Sequence, residues 1–143
     1  MSNNRFTIAM HIMTLLATTE DSSLSSEVMA GSMNLHPVLV RKELANLRRN
    51  GLVITREGKK GGSALARPAA GIEVSEIYRA VREESLLGGH KHDPNPACPV
   101  GKEINIHLAD LYLTAEAALM QRLQKTTLEA FAKQFTDPDH SSS

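Results

Sequence analysis

Apolar residues recur at helical spacing along the first third of the chain and predict three consecutive helices. The first apolar face indicates a helix over about residues 4–19. Ser25 can cap a short second helix, and Asn34 lies just past its end, where left-handed backbone angles are useful. Pro37 fits the first position of a third helix, because its missing N–H costs nothing there. Two short helices joined by a tight turn form a helix-turn-helix.

The pattern becomes extended after Gly51, which is expected to end the third helix. Residues 52–56 are rich in β-branched side chains, and residues 63–66 form a second short run. The glycine-rich segment 57–62 between them is typical of a turn, so the three segments together predict a β-hairpin. A hairpin that directly follows a helix-turn-helix is a wing.

The second half of the chain predicts helices of very different length. A short linker at 68–71 precedes a helix over about 73–83, and an irregular stretch with three prolines follows. A long helix is then expected from Val100 to about residue 125, and its apolar stripe steps by four and three residues. Its members are Ile104, Leu108, Leu111, Ala115 and Ala118. So much apolar surface is hard to bury within one chain of this size, so we expect a homodimer.

A capping-box pattern, Thr126-x-x-Glu129, predicts a short last helix. The predicted fold is therefore mainly α with a small β wing: a winged helix-turn-helix followed by a long dimerisation helix. We divide the chain into a DNA-binding domain, an effector loop, dimerisation helices and a disordered tail. Their ranges are 1–83, 84–99, 100–136 and 137–143.

Charge is distributed unevenly, although the net charge is zero. Residues 41–67 hold eight basic side chains against Glu43 and Glu57, a local net charge of +6. Such a patch within a neutral protein is the electrostatic footprint of nucleic-acid binding, although a solvated helix face is the ordinary alternative. The basic residues are Arg41, Lys42, Arg48, Arg49, Arg56, Lys59, Lys60 and Arg67.

Several features indicate a cytoplasmic protein without a membrane partner. No apolar run approaches the roughly 20 residues of a membrane helix, and residues 1–5 do not resemble a signal peptide. Cys98 is the one cysteine, so an internal disulfide is impossible and a reducing compartment is expected.

Several motifs, in the right order and spacing over roughly residues 5–130, resemble the Rrf2 family of bacterial transcription regulators. They are Val40-Arg41-Lys42, the run from Leu47 to Val53, Arg56-x-Gly58-x-x-Gly61-Gly62 with Leu65-Ala66-Arg67-Pro68, the run from Ile77 to Val81, and Pro94-Asn95-Pro96-x-Cys98-Pro99-Val100-Gly101. The last segment resembles the YwnA-type branch of the family. The resemblance implies a winged helix-turn-helix and binding of double-stranded DNA.

One departure from the family concerns its iron–sulfur members, which hold a [2Fe–2S] cluster with three cysteines between the fourth and fifth helices. Only Cys98 lies in that region here, and one thiolate cannot supply the usual ligand set. We therefore expect no cofactor. His90, His92 and Asp93 near Cys98 match no strong zinc pattern, so we expect no metal site either.

The third helix is the predicted recognition helix, because its early residues meet base edges in helix-turn-helix proteins. Arg41 suits guanine, with a surface salt bridge to an acid such as Glu43 as the alternative, and Val38 can touch a thymine methyl group. Pro37 and Lys42 belong to the same predicted surface. Arg48 and Arg49, at the far end, either contact DNA or stabilise the negative end of the helix.

The wing and the second helix supply the predicted backbone contacts. Arg56, Lys59, Lys60 and the Gly61 backbone are expected at phosphates or in the minor groove. Ser25 and Ser26 can offer donors to a phosphate at a helix start, although simple capping explains Ser25 equally well.

Cys98 is the candidate regulatory residue. A cysteine in a proline-rich loop can react with oxidants or electrophiles if neighbours such as His90, Lys91 and His92 lower its pKa. The alternative is a small, partly buried packing residue. A small-molecule or redox signal is therefore expected.

These observations favour a DNA-binding repressor that occupies a pseudo-palindromic operator as a homodimer. The alternative is a winged-helix protein–protein module without DNA affinity, which has no need for basic residues around the wing glycines. An enzyme is not expected, because phosphate-loop and nucleophile-elbow motifs are absent from the sequence.

Overall fold

A computed structural model of the protein describes residues 4–19, 23–58, 61–82 and 93–136. It is mostly helical with one two-stranded antiparallel sheet, as the sequence pattern predicted. In chain order the elements are α1 (Asn4–Thr18), α2 (Ser26–Met33), α3 (Pro37–Arg49), β1 (Val53–Arg56), β2 (Gly62–Leu65), a short 3₁₀ helix (Ala69–Gly71), α4 (Val74–Val81), α5 (Pro99–Leu123) and α6 (Leu128–Thr136).

Local signals place the ends of the first helices where the sequence predicted. Ser25 caps α2, because its hydroxyl accepts a hydrogen bond from the Val28 N–H at 3.1 Å. Asn34 follows α2 with a left-handed φ of 56°, and Gly51 follows α3 with a φ of +77°. Both residues tolerate an angle that most side chains disfavour, which ends each helix sharply.

The wing is joined to the segment that precedes α2. β1 and β2 pair in a register that sets Val53 opposite Leu65, and Leu24 bridges Ser63 through backbone hydrogen bonds of 2.8 and 2.9 Å. Gly62 is required at this point, because a side chain there would collide with the Leu24 carbonyl. The hairpin therefore sits in a fixed position beside the helix-turn-helix.

One local expectation was wrong. The last helix is capped by Thr127, whose hydroxyl accepts from the Ala130 N–H at 3.1 Å, and Thr126 instead lies in the segment before it. The segment 68–71, expected as a short linker, contains the 3₁₀ helix. Neither observation changes the order of the elements.

The core is assembled around α1, with buried side chains from α2, α3, β1, α4 and α6. Leu128 of α6 is fully buried in it, and the backbone of Leu128 donates to the Ile72 carbonyl at 2.7 Å. The last helix thus packs on the N-terminal core. The division of the chain into units drawn from the sequence stays a prediction, and the predicted tail 137–143 lies outside the described residues.

The long helix α5 packs against α4 and leaves most of its surface open. Glu116 is its one buried residue, whereas Val100, Ile106, Leu111 and Leu113 are exposed apolar side chains. Despite this apolar surface, no helix in the described ranges combines the length and apolar character needed to span a membrane.

Candidate nucleic-acid interface

Helix α3, the predicted recognition helix, is strongly two-sided. Its buried stripe consists of Val40, Leu44 and Leu47. On the opposite side, positions spaced by four, three and four residues share one outward face. This outward stripe is Val38, Lys42, Ala45 and Arg49.

His36 caps the start of α3. Its Nδ1 accepts a hydrogen bond from the Val38 N–H at 3.1 Å. Sequence reasoning missed this contact, because histidine is an uncommon capping residue; the signal that points to it is its place directly before Pro37. The cap holds the first turn, and with it the exposed Val38, in position.

Arg41 lies at the edge of the outward stripe and reaches back to α2. Its guanidinium donates to the Ser26 hydroxyl and to the Glu27 carboxylate, each at 3.3 Å. All three groups are exposed. The acid next to Arg41 is therefore Glu27, and the expected alternative partner Glu43 was wrong.

Glu43 faces inward and ties α3 to two other helices. Its carboxylate accepts from the Arg5 guanidinium at 3.0 Å and from the Asn46 amide at 2.9 Å. Asn46 also donates to the Ala80 carbonyl of α4 at 2.9 Å. In the sequence, the Glu43 carboxylate counts against the local basic charge. In the structure this carboxylate instead pairs with Arg5 and Asn46 on the inner side of α3, so it offsets less of the outward-facing basic charge.

The turn of the wing depends on close backbone packing. Gly58 has a φ of +105°, and the Gly61 N–H donates to its carbonyl at 2.9 Å. A side chain on Gly61 would lie 2.7 Å from the Arg56 carbonyl. Arg56 itself is exposed at the end of β1. Lys59 and Lys60, predicted for the same surface, lie outside the described residues.

The two arginines at the end of α3 have local partners. Arg48 donates to the Thr55 hydroxyl of β1 at 3.2 Å, and Arg49 donates to the Asn46 amide oxygen at 3.4 Å. Both side chains are exposed and keep further donors available. Arg48 therefore links the recognition helix to the wing, and Arg49 completes the outward stripe.

A buried polar cluster joins α4 to the long helix α5. The Tyr78 hydroxyl donates to Glu116 Oε2 at 3.1 Å, and Arg82 pairs with Glu116 Oε1 at 2.9 Å. Burial, followed by the bond to Glu116, raises the pKa of the Tyr78 hydroxyl. The cluster connects the helix-turn-helix unit with the predicted dimerisation helix.

Cys98 stands at the N-terminal boundary of α5, where it is exposed and free. Its N–H donates to the Asn95 carbonyl at 3.1 Å, and its own carbonyl accepts from the Lys102 N–H at 2.8 Å. Gly101 packs so closely that a side chain there would lie 2.5 Å from the Asn95 carbonyl. The alternative of a partly buried packing residue was wrong. His90, Lys91 and His92, expected to act on the thiol, lie outside the described residues.

Comparisons with known proteins agree with this arrangement. Residues 2–134 match the sequence model of a family described as "Rrf2: Iron-dependent Transcriptional regulator". The chain is 35% identical to YwnA of Bacillus subtilis (strain 168), provisionally named an HTH-type transcriptional regulator, over 90% of this chain and 95% of that protein.

Solved structures show the same fold. The structure of CymR (YrzC), the global cysteine regulator of B. subtilis, superposes with a TM-score of 0.68 at 24% identity, covering 93% of this chain and 96% of that one. A transcriptional regulator from Lactobacillus plantarum superposes with a TM-score of 0.77 at 23% identity, covering 96% and 93%. The winged-helix fold predicted from the sequence is confirmed.

The family description names iron, so the ligands of this chain decide whether it can hold an iron–sulfur cluster. Iron–sulfur clusters in proteins are held mainly by several cysteine thiolates. The whole sequence has one cysteine, and the described residues bring no three His, Cys, Asp or Glu side chains together. This donor set does not fit an iron–sulfur cluster.

Proposed function

The chain belongs to the Rrf2 family of transcription regulators, and we propose that this DNA-binding regulator acts as a homodimeric repressor with α3 in the major groove. Its relatives are transcription regulators, and nothing among them favours the alternative of a protein–protein module. Repression would follow from steric occupancy of a pseudo-palindromic operator. The natural location of such a protein is the cytoplasm.

The outward stripe of α3 carries the proposal. A side chain that points away from the core and has a hydrogen-bonding or apolar tip is what base edges require. Val38, Arg41 and Lys42 are the proposed base-contacting residues, with Pro37 beside them. Val38 is 53% exposed although it is apolar, which suits contact with a thymine methyl group.

The proposed phosphate contacts flank this stripe. Ser26 and the N-terminus of α2 lie next to Arg41, so this side of the interface presents both a hydroxyl and backbone donors. The Ser25 hydroxyl already caps α2 by accepting the Val28 N–H. Capping is therefore better supported for Ser25 than contact with a phosphate. The wing contributes Arg56 and the backbone at Gly61, together with Lys59 and Lys60.

Dimerisation is proposed through α5. The stripe of Ile104, Leu108, Leu111, Ala115 and Ala118 is only partly covered, and Leu111 is 59% exposed. A second copy that packs along this helix would remove that surface from water and set the spacing of the two recognition helices. Residues 1–83 would then bind DNA, 84–99 receive the signal and 100–136 hold the dimer.

The proposed signal is modification of Cys98. In reaction with a quinone, Cys98 Sγ would form a C–S bond to a ring carbon, while its thiol proton passes to the quinone, which becomes a hydroquinone thioether. The exposed position at the start of α5 makes the thiol reachable. A bulky adduct there would push on α5, and so on the half-site spacing.

The experiment begins with sequencing of the DNA that co-purifies with the protein from its native cell, followed by titration of the enriched fragment. Arg41→Ala should weaken binding by about 1–3 kcal/mol and relax sequence preference, whereas Lys59→Ala should weaken all sequences alike. If both variants bind the fragment like the parent, the groove assignment is wrong.

The proposed signal has its own test. Quinone treatment should release the fragment from the parent, and Cys98→Ser should resist; equal release from both would refute the thiol signal.

A further inference from the structure

A polar network lies between α3 and the two helices behind it. The two carboxylate oxygens of Glu43 accept from two different guanidinium nitrogens of Arg5, at 3.0 and 3.4 Å. The Asn46 amide donates to the same carboxylate and to the Ala80 carbonyl, each at 2.9 Å. This inner network, Arg5, Glu43, Asn46 and the Ala80 carbonyl, therefore joins α1, α3 and α4 around one buried carboxylate.

The inner network lies beside the buried apolar stripe of α3. At about 100° per residue, Glu43 lies about 60° around the helix axis from Val40, and Asn46 lies about 120° from it on the same side. Asn46 thereby comes close to the outward stripe, and its amide oxygen accepts from Arg49 at 3.4 Å. The network thus extends from the inner side of α3 to the stripe proposed to face DNA.

Directional bonds constrain the rotation of a helix more tightly than apolar packing does. Hydrophobic burial has no preferred direction, whereas a hydrogen bond needs a particular distance and angle. A side-chain atom at the helix surface lies about 5–6 Å from the axis, so a rotation of about 20° moves it by about 2 Å. Donor–acceptor distances vary by only about 0.5 Å, so such a shift would break a contact with a base edge.

We propose that Arg5, Glu43 and Asn46 are positioning residues that set the sequence preference of DNA binding rather than the stability of the fold. They fix the rotation of α3 and so aim Arg41 and Lys42 at base edges. The inference rests on the proposed function, because it requires α3 in the major groove. A buried ion pair adds little net stability, since desolvation offsets the attraction, and apolar residues of similar volume often replace it without loss.

The test compares the DNA fragment that co-purifies with the protein and a shuffled fragment of equal length and composition. The test variant is the double substitution Arg5→Met with Glu43→Leu, which removes one charge of each sign and leaves the net charge unchanged. Its affinity for the shuffled fragment, measured by fluorescence anisotropy, should therefore equal that of the parent. Its affinity for the enriched fragment should fall about tenfold, because loss of one base contact has an effect of that order.

Stability provides the second measurement on the same proteins. Urea unfolding of the double variant should give a free energy equal to or above that of the parent. Leu44→Ala is the matched control, because it shortens the buried stripe of α3 without removing a bond of the network. It should unfold at lower urea and keep the ratio of the two DNA affinities. An equal fall of that ratio in Leu44→Ala would mean that any loosening of α3 suffices, which refutes the proposal. A double variant with the ratio of the parent also refutes it.

Asn46→Ala keeps the proposal testable if the double variant does not fold. This substitution leaves the Arg5–Glu43 pair in place and cuts the bond to the Ala80 carbonyl, so the ratio should fall in the same direction. An unchanged ratio in Asn46→Ala would then overturn the proposal.

Arg41→Ala in the same assay separates this inference from the proposed function. If Arg41→Ala lowers the ratio and the network variants do not, only the positioning inference is wrong. If the ratio is the same in the parent, in Arg41→Ala and in the network variants, the placement of α3 in the groove is wrong and the positioning inference falls with it.

Discussion

Tyr78 and Glu116 lie 38 residues apart in the sequence, and the hydroxyl of the first donates to the carboxylate of the second at 3.1 Å across the α4–α5 contact. Glu116 is the one buried side chain of α5 and also pairs with Arg82. An otherwise exposed helix is thus held to the rest of the chain through a polar joint. The joint contributes to the position of α5 relative to α4.

Substitutions of Tyr78 and of Glu116 should lower the free energy of unfolding by different amounts. Tyr78→Phe deletes one hydrogen bond and should lower the free energy of unfolding by about 1 kcal/mol. Glu116→Ala leaves both Tyr78 and Arg82 without their acceptor, so the loss should be larger, about 3 kcal/mol. Urea unfolding at a fixed protein concentration measures both. Glu103→Ala, which removes an exposed carboxylate of the same helix, should change little; a comparable loss there would show that the effect is not specific to the joint.

The Arg67–Glu76 pair predicts a small dependence of stability on acid. The hydrogen bond from Arg67, at 2.5 Å, is the main cause that lowers the pKa of the Glu76 carboxyl. A carboxyl whose pKa is lower in the folded state contributes stability above its unfolded pKa, and that contribution is lost as the pH falls through the folded pKa. Because the pair is partly exposed, we expect it to contribute only about 0.5 kcal/mol.

The measurement is the free energy of unfolding of the parent and of Glu76→Gln between pH 7 and pH 3. The difference between the two proteins should be present at pH 7 and should shrink as the pH falls. A difference that is constant over this range would mean that the charge of Glu76 is not its cause.

The buried hydroxyl of Thr14 predicts a stabilising substitution. Its oxygen is buried and finds no hydrogen-bond partner among the described residues. Thr14→Val keeps the shape and removes the unsatisfied polar atom, so the free energy of unfolding should rise by about 1 kcal/mol. Thermal unfolding provides the check, with Thr18→Val as the control, because the Thr18 hydroxyl is bonded to the Leu15 carbonyl. Destabilisation by Thr14→Val would indicate that the hydroxyl is bonded in solution.

The parts of the fold that could be predicted from the sequence were those set by neighbouring residues. Asn34 and Gly51 mark helix ends through their own backbone preferences, and Pro37 marks a start. Glu43 could not be placed correctly, because its burial depends on Arg5, 38 residues away. The docking of Leu128 on the N-terminal core could not be predicted either, because it also depends on contacts between residues far apart in the sequence.

The candidate interface also has features that follow from the local sequence and features that depend on tertiary contacts. That Arg41 lies outside the buried stripe of α3 follows from helical spacing alone, and the structure agrees. Its contact with Glu27 required the packing angle between α2 and α3, which no pattern in the sequence states. The roles of these residues in DNA binding remain predictions.

The apolar stripe of α5 predicts which substitution breaks the dimer. Leu111→Asp places a charge at the centre of the proposed interface, where it would have to be buried without a partner, so the variant should sediment as a 15.6 kDa monomer or become insoluble. Leu113→Asp is the matched control, because Leu113 is also apolar and exposed. It lies about 200° further around the helix axis than Leu111, and therefore on nearly the opposite side. It should remain dimeric. The reverse outcome would move the interface to the side of Ile106 and Leu113.

The contact between Arg41 and Glu27 predicts a gain in DNA affinity on removal of a charge. An exposed ion pair of this kind contributes only about 0–1 kcal/mol, so Arg41 can leave it when a guanine or a phosphate is near. The Glu27 carboxylate would then face the DNA without its partner and repel the phosphates. Glu27→Gln keeps the side-chain shape and removes that repulsion, so binding to operator and to unrelated DNA should both tighten, by about 0.5–1 kcal/mol. Fluorescence anisotropy at two salt concentrations measures both affinities, and the gain should be smaller at the higher concentration.

Glu129→Gln, which removes an exposed carboxylate of α6, is the charge-matched control and should bind like the parent. If Glu27→Gln instead weakens operator binding while unrelated DNA is unaffected, Glu27 positions Arg41 for base contact in the complex, and the repulsion argument is wrong.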